Sequence, residues 1–131
     1  MSFETDFIAK YAALFNGRLY WDESPEGWTA EQRAAPFAIA QQVGGSNRQY
    51  VDDKEQPEFL NARVQVDVWG SRRMEVSDAM RSFVAAVMQS NTADWYAREM
   101  GEVIGDHNEV LKLRGSRQDF NFSFRNPRYV P

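Results

Sequence analysis

Polar and hydrophobic residues alternate most regularly in residues 61–69, which read NARVQVDVW. This period of two predicts a strand whose two faces differ. Three valines share one face, namely Val64, Val66 and Val68. The residues of the opposite face are Arg63, Gln65, Asp67 and Trp69. The valine face is expected in a hydrophobic core, whereas the other face could contact water, a substrate or another protein.

Hydrophobic residues recur at helical spacing in residues 2–15 and again in residues 71–88. The first apolar stripe consists of Phe3, Phe7, Ile8, Tyr11, Leu14 and Phe15. The second consists of Val76, Ala79, Met80, Phe83, Val84, Val87 and Met88. Asn16-Gly17 is a suitable stop for the first helix, and Ser71 is a candidate N-cap for the second. The pattern predicts two amphipathic helices.

Further strands are predicted on both sides of the second helix. Their segments are RLYW (18–21), PFAIAQQV (36–43), EVIG (102–105), EVLKLRG (109–115) and QDFNFSFRN (118–126). The last is the clearest, because Phe120, Phe122 and Phe124 alternate with polar residues. Residues 22–36 have turn chemistry and are predicted to be a loop. Residues 91–101 fit either a short helix capped by Thr92 or the start of a strand.

The order helix, strands, helix, strands predicts an α+β fold: a two-layer sandwich with a mainly antiparallel sheet, two amphipathic helices and a long β-hairpin or loop. The length of 131 residues suits a single domain spanning 1–131. Residues 46–58 are predicted to be a flexible loop or the tip of a hairpin joining 36–45 to 61–69. Residues 126–131 are predicted to be an extended tail, because their prolines block regular pairing.

Composition narrows the function classes. The formal net charge is -4, which argues against a protein that grips nucleic acid by neutralising phosphates. The absence of cysteine excludes disulfides, thiolate nucleophiles and cysteine-bound metals. No apolar run approaches the roughly 20 residues of a membrane helix, and the acidic N-terminus lacks the order of a secretion signal. We therefore expect a cytoplasmic protein without membrane partners.

The one histidine, His107, lies between Asp106 and Glu109 in GDHNE. A general acid–base role needs a base held by a partner and aimed at a substrate. A metal site needs further ligands converging from elsewhere. Neither pattern is visible, and the composition of GDHNE is typical of a turn between strands.

Four other clusters have a possible chemical use. VDDKE (51–55) could hold a divalent ion, but adjacent acids on a polar loop are usually solvated. WDESPEGW (21–28) could bind a sugar, although a loop anchored by its tryptophans is favoured. RGSRQ (114–118) could meet a phosphate or an acidic partner, and we interpret it as a turn. GGS (44–46) lacks the rest of a phosphate loop. We predict no enzyme activity, cofactor or metal.

Four segments together match the pattern of one protein family. LFNGRLYWDESPEG follows the first helix, and APFAIAQQVGGS gives a Pro-aromatic strand ending in small polar residues. ARVQVDVWGSRRMEVSDAMRSFVAAV joins a strand to an amphipathic helix, and RGSRQDFNFSFR is an arginine-bearing closing strand. In these features the chain resembles the tail-terminator proteins (also called tail-completion or minor tail proteins) of long-tailed bacteriophages and prophages, over roughly residues 5–125.

This resemblance implies an α+β structural protein without enzyme activity or cofactor. It implies a homo-oligomeric ring, typically a hexamer, at the head-proximal end of the tail tube. The ring stops tube polymerisation and joins the tube to the head-completion or connector protein, while DNA passes through without specific binding. The expected location is the virion tail, with the host cytoplasm during assembly. The acidic composition suits a channel in which DNA must slide without sticking.

Three regions are predicted to form the subunit or partner interface: the loop 46–58, the polar face of strand 61–69 and the C-terminal tail. The residues are Arg48, Tyr50, Asp52, Asp53, Lys54, Arg63, Gln65, Asp67, Trp69, Arg128 and Tyr129. The alternative is a small cytoplasmic α+β enzyme or ligand-binding domain with a pocket between sheet and helices. Its polar groups would be Asp67, Gln65 or His107.

Overall fold

The computed structural model describes residues 3–23, 28–45 and 58–126. In chain order it contains α1 (Phe3–Tyr11), a 3-10 helix (Ala12–Phe15), β1 (Leu19–Trp21), α2 (Ala30–Ala34), β2 (Phe37–Gly45), β3 (Phe59–Gly70), α3 (Arg73–Gln89), β4 (Trp95–Asn108) and β5 (Leu113–Arg125). The predicted α+β two-layer sandwich is confirmed. None of the helices within the described ranges is long and apolar enough to cross a membrane.

The five strands form one sheet in the order β1-β2-β3-β5-β4. Only β1 and β2 are parallel; the other three pairings are antiparallel. Residues 36–45 pair antiparallel with residues 61–69, as the hairpin alternative expected, with a bulge between Gln42 and Gly44. The predictions for the loop 46–58 and the tail 126–131 lie outside the described residues, except at Glu58 and Asn126.

Both predicted amphipathic helices pack on the same face of the sheet. In α1, Phe3, Phe7 and Tyr11 are spaced four apart and are buried. The helix continues as a 3-10 turn, and the chain then turns at Asn16 and Gly17, whose φ angles of 54° and 81° are left-handed.

The second predicted helix is confirmed as α3, but its predicted N-cap is wrong. Arg72 occupies the N-cap position without a side-chain hydrogen bond. The Ser71 hydroxyl instead donates to the carbonyl oxygen of Ala34 at 3.2 Å. Ser71 therefore joins the end of β3 to the end of α2.

The core lies between these helices and the sheet, and it is unusually aromatic. Val64, Val66 and Val68 are fully buried, as predicted for the valine face. Phe122 meets Phe7 edge to face, with ring centroids 5.5 Å apart. Such contacts between rings add to the hydrophobic free energy of burial.

A chain of hydrogen bonds crosses this core. Trp95 Nε1 donates to the Tyr11 hydroxyl at 2.9 Å, and that hydroxyl lies 2.7 Å from Ser90 Oγ. Ser90 Oγ donates in turn to the carbonyl oxygen of Val87 at 2.8 Å. Tyr11 must therefore donate to Ser90, so every polar group in the chain has a partner.

The prediction of a loop throughout 22–36 is wrong, because α2 lies within it. The Thr29 side chain accepts from the backbone N–H of Gln32, and the Gln32 side chain accepts from the backbone N–H of Thr29. This reciprocal capping box allows a helix of only five residues.

The C-terminal third forms one long hairpin. The ambiguity over 91–101 is resolved as a strand onset, since β4 begins at Trp95. EVIG belongs to this same strand, and EVLKLRG is split between the turn at 109–112 and β5. The turn interpretation of RGSRQ is therefore wrong. That of GDHNE is wrong as well, since residues 105–108 end β4 and only Glu109 lies in the turn.

β4 forms an edge of the sheet and is interrupted by a bulge between Met100 and Ile104. Gly101 has a positive φ of 81° there. The buried Gln118 side chain holds the bulge, since its Nε2 lies 3.4 Å from the carbonyl oxygen of Met100 and 3.2 Å from that of Gly101.

Candidate functional site

The face of the sheet opposite α1 and α3, called the second face below, carries the polar residues of strand 61–69. Its rows across β2, β3 and β5 are Phe37–Trp69–Gly115, Ile39–Asp67–Arg117, Gln41–Gln65–Asp119 and Gly44–Arg63–Asn121. The four predicted residues Arg63, Gln65, Asp67 and Trp69 therefore lie together. Their role in an interface stays a prediction.

Asp67 is the most enclosed ionic group of the second face, with a side chain that is 14% exposed. Its carboxylate accepts from Arg117 Nε at 2.8 Å and from Gln65 Nε2 at 3.2 Å. The hydrogen bond from Arg117 to Asp67, together with the charge of Asp67, raises the pKa of Arg117 above its ordinary value. Asp67 is thus paired within its own sheet.

A second ion pair lies farther along the same strands. Arg63 Nη2 lies 3.1 Å from Asp119 Oδ2. In this pair the base is on β3 and the acid on β5, whereas Asp67 and Arg117 have the opposite arrangement. The four residues contribute no net charge, so this part of the face is unlike a phosphate-binding surface.

Trp69 lies against the backbone of β5. A Cβ atom at Gly115 would be 2.7 Å from Trp69 Cζ3, closer than the two atoms can approach. Gly115 therefore lets the indole ring lie flat on the strand, and Trp69 is only partly exposed. The ring adds a rigid apolar element to an otherwise ionic face.

Next to Trp69, the second face is closed by residues around α2. Phe37 is buried and meets Trp28 edge to face, with centroids 5.0 Å apart. The guanidinium of Arg18 lies 4.8 Å from the centroid of the Trp28 ring. On the core side, Trp21 packs against Phe7 at 5.6 Å. Both tryptophans are thus packed against the fold, as predicted for anchors of the segment 21–28.

The opposite end of the second face is more open. Arg125 pairs with Asp94 and with Glu58, each at 2.8 Å, and these partners raise the pKa of Arg125. Its guanidinium also lies 5.1 Å from the centroid of the exposed Phe59 ring. Tyr96 on β4 is exposed as well. Exposed aromatic rings beside arginine are typical of protein interfaces.

His107 is not assembled into an acid–base site. It is exposed, and its Nε2 lies 3.5 Å from Glu109 Oε1. Asp106 accepts from the backbone N–H of His107 at 2.8 Å and approaches Arg117 at 4.0 Å. Across the described ranges, no group of three or more histidine or acidic side chains could hold a metal ion.

A groove of about 590 Å³ lies between α3 and the β4–β5 hairpin, on the helix side of the sheet. Its lining residues are Ser77, Met80, Arg81, Val84, Ala85, Met88, Glu99, Val103 and Ser116. The pocket expected under the ligand-binding alternative is thus not lined by the predicted residues. Gln65 and Asp67 lie on the other side of the sheet, and His107 is not part of the lining.

Seven predicted interface residues lie outside the described ranges. They are Arg48, Tyr50, Asp52, Asp53, Lys54, Arg128 and Tyr129. Conversely, Arg117 and Asp119, the partners of Asp67 and Arg63, are absent from the residues predicted from the sequence. Arg117 and Asp119 alternate along β5 with Ser116 and Gln118, which point into the core. Because Ser116 and Gln118 are polar, the sequence shows no alternation of hydrophobic and polar residues at this point.

Comparisons with known proteins give information at the level of fold. No protein-family model and no curated protein matches the chain. A chain in the virion of a native gene transfer agent (GTA) particle is similar in structure, with a TM-score of 0.52 and 14% identity over 90% of this chain and 86% of that one. Two Akkermansia muciniphila structures reach TM-scores of only 0.34 and 0.36, which is too low to indicate a shared fold. At 14% identity, the first likeness establishes a shared fold.

Proposed function

We propose that this chain is a structural protein of a phage-like particle and acts as a tail terminator. In this role, copies of the chain form a ring, hexameric as the sequence resemblance implies, on the head-proximal end of the tail tube. The ring stops tube growth and contacts the head-completion or connector protein, and DNA passes through its centre. The role involves no catalytic reaction and no cofactor, and it belongs to the virion tail after assembly in the host cytoplasm.

The observation that carries this proposal is the likeness in fold, over nearly the whole chain, to a chain of a GTA virion. The likeness alone does not specify a position in the particle. The tail position is supported by the four sequence segments that resemble tail terminators, which now fall on β1, β2, β3 with α3, and β5.

The second face supports a contact role. Its central charges are already paired within the chain, so a partner can cover them without leaving an isolated charge buried. Its open end offers Phe59 and Tyr96 beside Arg125, the residue types that interfaces favour. Such a face suits a neighbouring protein better than a small substrate.

Deletion of the gene from the phage or prophage that encodes it tests the role directly. We expect particles whose tail tubes exceed the normal length and whose heads remain unattached, visible by negative-stain electron microscopy. Expression of the wild-type chain in trans should restore head-joined tails of uniform length. Normal tails in the deletion strain would refute the proposal.

A matched pair of variants separates assembly from folding. Reversing the open-end charge with Arg125→Glu should reduce complementation while the purified variant stays folded by circular dichroism. Arg72→Glu, which changes an exposed arginine at the start of α3 outside the second face, is the control for a general effect of charge reversal. Equal complementation by both variants would exclude the open end of the second face from the contact.

A further inference from the structure

The turn between β4 and β5, residues 109–112, exposes two large apolar side chains. We call it the tip. Val110 is 91% exposed and Leu111 is 43% exposed. The backbone N–H of Leu111 donates to Asn108 Oδ1 at 3.1 Å, which closes the turn. Two adjacent apolar side chains presented to water are a candidate contact site.

The groove between α3 and β4–β5 is concave and largely apolar, and so complements the apolar tip. Its walls include Met80, Val84 and Met88 from α3, and Val103 from β4. Methionines make such a surface adaptable to the shape of an inserted side chain. Its volume of about 590 Å³ leaves room for apolar side chains to enter.

The charges beside the tip and the groove are also complementary. The tip carries one exposed acid, Glu109, and one exposed base, Lys112. The groove is lined by one exposed base, Arg81, and one exposed acid, Glu99. The pairs expected with Val110 and Leu111 inserted are Glu109 with Arg81 and Lys112 with Glu99. In the free chain, Arg81 Nη2 lies 3.2 Å from Asp78 Oδ1, an exposed pair that docking would exchange. Electrostatic matching of this kind fixes the orientation of a contact.

The tip cannot fill the groove of its own chain. Ser116 of the groove pairs with Gly105, and the hairpin continues as regular pairs to Asn108–Leu113 before the turn begins. These pairs place the turn about 10 Å beyond Ser116 at roughly 3.3 Å per residue. The extended hairpin therefore presents its tip to another molecule.

We propose that the tip of one copy of this chain docks into the α3–β4 groove of a second copy. This inference deepens the proposed function and rests on it, since it assigns a subunit contact of the ring to named side chains. Because tip and groove are different surfaces, the contact is head to tail, and repeated contacts close into a ring when the rotation between copies allows.

Arg73 prepares the chain for this contact. Its Nη1 donates to the carbonyl oxygen of Gly115 at 2.7 Å, and its Nη2 to that of Asp106 at 2.9 Å. One side chain at the start of α3 thus holds both strands of the hairpin. Tip and groove keep a fixed relation within each copy, which lowers the entropic cost of association.

Cysteine cross-linking tests the contact, because the natural chain has no cysteine. One protein carries Val110→Cys at the tip, and a second carries Ala85→Cys at the groove. Both positions are exposed, so neither change should unfold the chain. After mild oxidation of the mixture, we expect a linked pair containing both peptides, identified by mass spectrometry.

The control mixture combines Val110→Cys with Ala30→Cys, which is also an exposed alanine at a helix but lies in α2. The groove mixture should give severalfold more mixed dimer than the control. Adding Val110→Asp protein without cysteine should compete less well than adding wild-type protein. Equal yields in the two mixtures would overturn the proposal, as would equal competition by the two proteins.

The result is separable from the test of the proposed function. Cross-linking at control level, combined with overlong tails in the deletion strain, would retain the tail terminator and reject this contact. Specific cross-linking with normal tails in the deletion strain would retain self-association and reject the tail role.

Discussion

The two faces of β3 are held by different forces. On the core face, Val64, Val66 and Val68 are sealed under two helices and surrounded by aromatic rings. On the second face, their alternating neighbours Asp67 and Arg63 depend on ion pairs reached by solvent. Apolar burial gives stability in proportion to area, whereas exposed ion pairs add little. The fold should therefore tolerate change on the second face far better than on the core face.

The largest expected effect comes from the aromatic core. Phe122→Ala should lower the free energy of unfolding by about 3–5 kcal/mol, because it leaves a cavity beside Phe7. Urea denaturation followed by tryptophan fluorescence measures the change. Asn121→Ala, one residue earlier on the second face, is the matched control and should lower it by less than about 1 kcal/mol. Similar losses for both variants would contradict the contrast between the faces.

Tyr11→Phe tests the polar part of the core. It leaves the Trp95 N–H and the Ser90 hydroxyl without their shared partner, so the free energy of unfolding should fall by about 1–3 kcal/mol. Ser90→Ala keeps the Trp95 bond and should lower it less. An equal or greater loss for Ser90→Ala would show that the chain of bonds is not centred on Tyr11.

The Tyr11→Phe variant should also differ from wild type in how its stability depends on pH. Burial raises the pKa of Tyr11, so the phenol ionises less readily in the folded than in the unfolded chain. Its contribution to stability is complete below the ordinary tyrosine pKa of about 10 and is lost as pH rises through the folded value. Stability of Tyr11→Phe, measured by urea denaturation from neutral to strongly alkaline pH, should therefore decline less than that of wild type. Parallel declines would argue against this burial effect.

An intermediate effect is expected at Asp67. Asp67→Asn removes the charge that Arg117 faces but retains the shape, and should lower the free energy of unfolding by about 1–2 kcal/mol. A double-mutant cycle with Arg117→Gln should show coupling between the two residues. Additive losses would mean that the pair behaves like any exposed ion pair of the second face.

The smallest effect is expected at Arg63, whose side chain is 47% exposed. Arg63→Ala should lower the free energy of unfolding by about 0.2–1 kcal/mol. The difference from wild type should shrink in high salt, because screening weakens exposed pairs. A loss that is unchanged by salt would indicate that the arginine stem, rather than its charge, packs against the sheet.

Elements in which buried and exposed residues recur with a regular period were predicted correctly from the sequence. In β3 and the end of β5, valines and phenylalanines alternate with polar residues, and both amphipathic helices carry a continuous apolar stripe. The core face and the grouping of Arg63, Gln65, Asp67 and Trp69 follow directly from that alternation.

The incorrect predictions concern segments in which hydrophobic and polar residues do not recur with a regular period. Most of β4 past Ala97 is exposed, so its sequence shows no alternation beyond the first residues. The start of β5 places Ser116 and Gln118 on the core face, so a strand resembled a turn. The helix α2 depends on the reciprocal bonds of Thr29 and Gln32 rather than on an apolar stripe. Partners on neighbouring strands, such as Arg117 for Asp67, can be predicted only when the register between the strands is known. A single sequence does not specify that register.

The bulge in β4 has a consequence for the free chain in a crowded cell. A long, regular outer strand offers a row of unpaired backbone groups on which another chain can add, and fibrous aggregates form in that way. Here the irregular stretch at Met100–Ile104, held by Gln118, divides the row into two shorter runs. The interruption therefore disfavours edge-to-edge addition of another chain along β4. Under the proposed function, that protection would keep separate copies apart until they reach the particle.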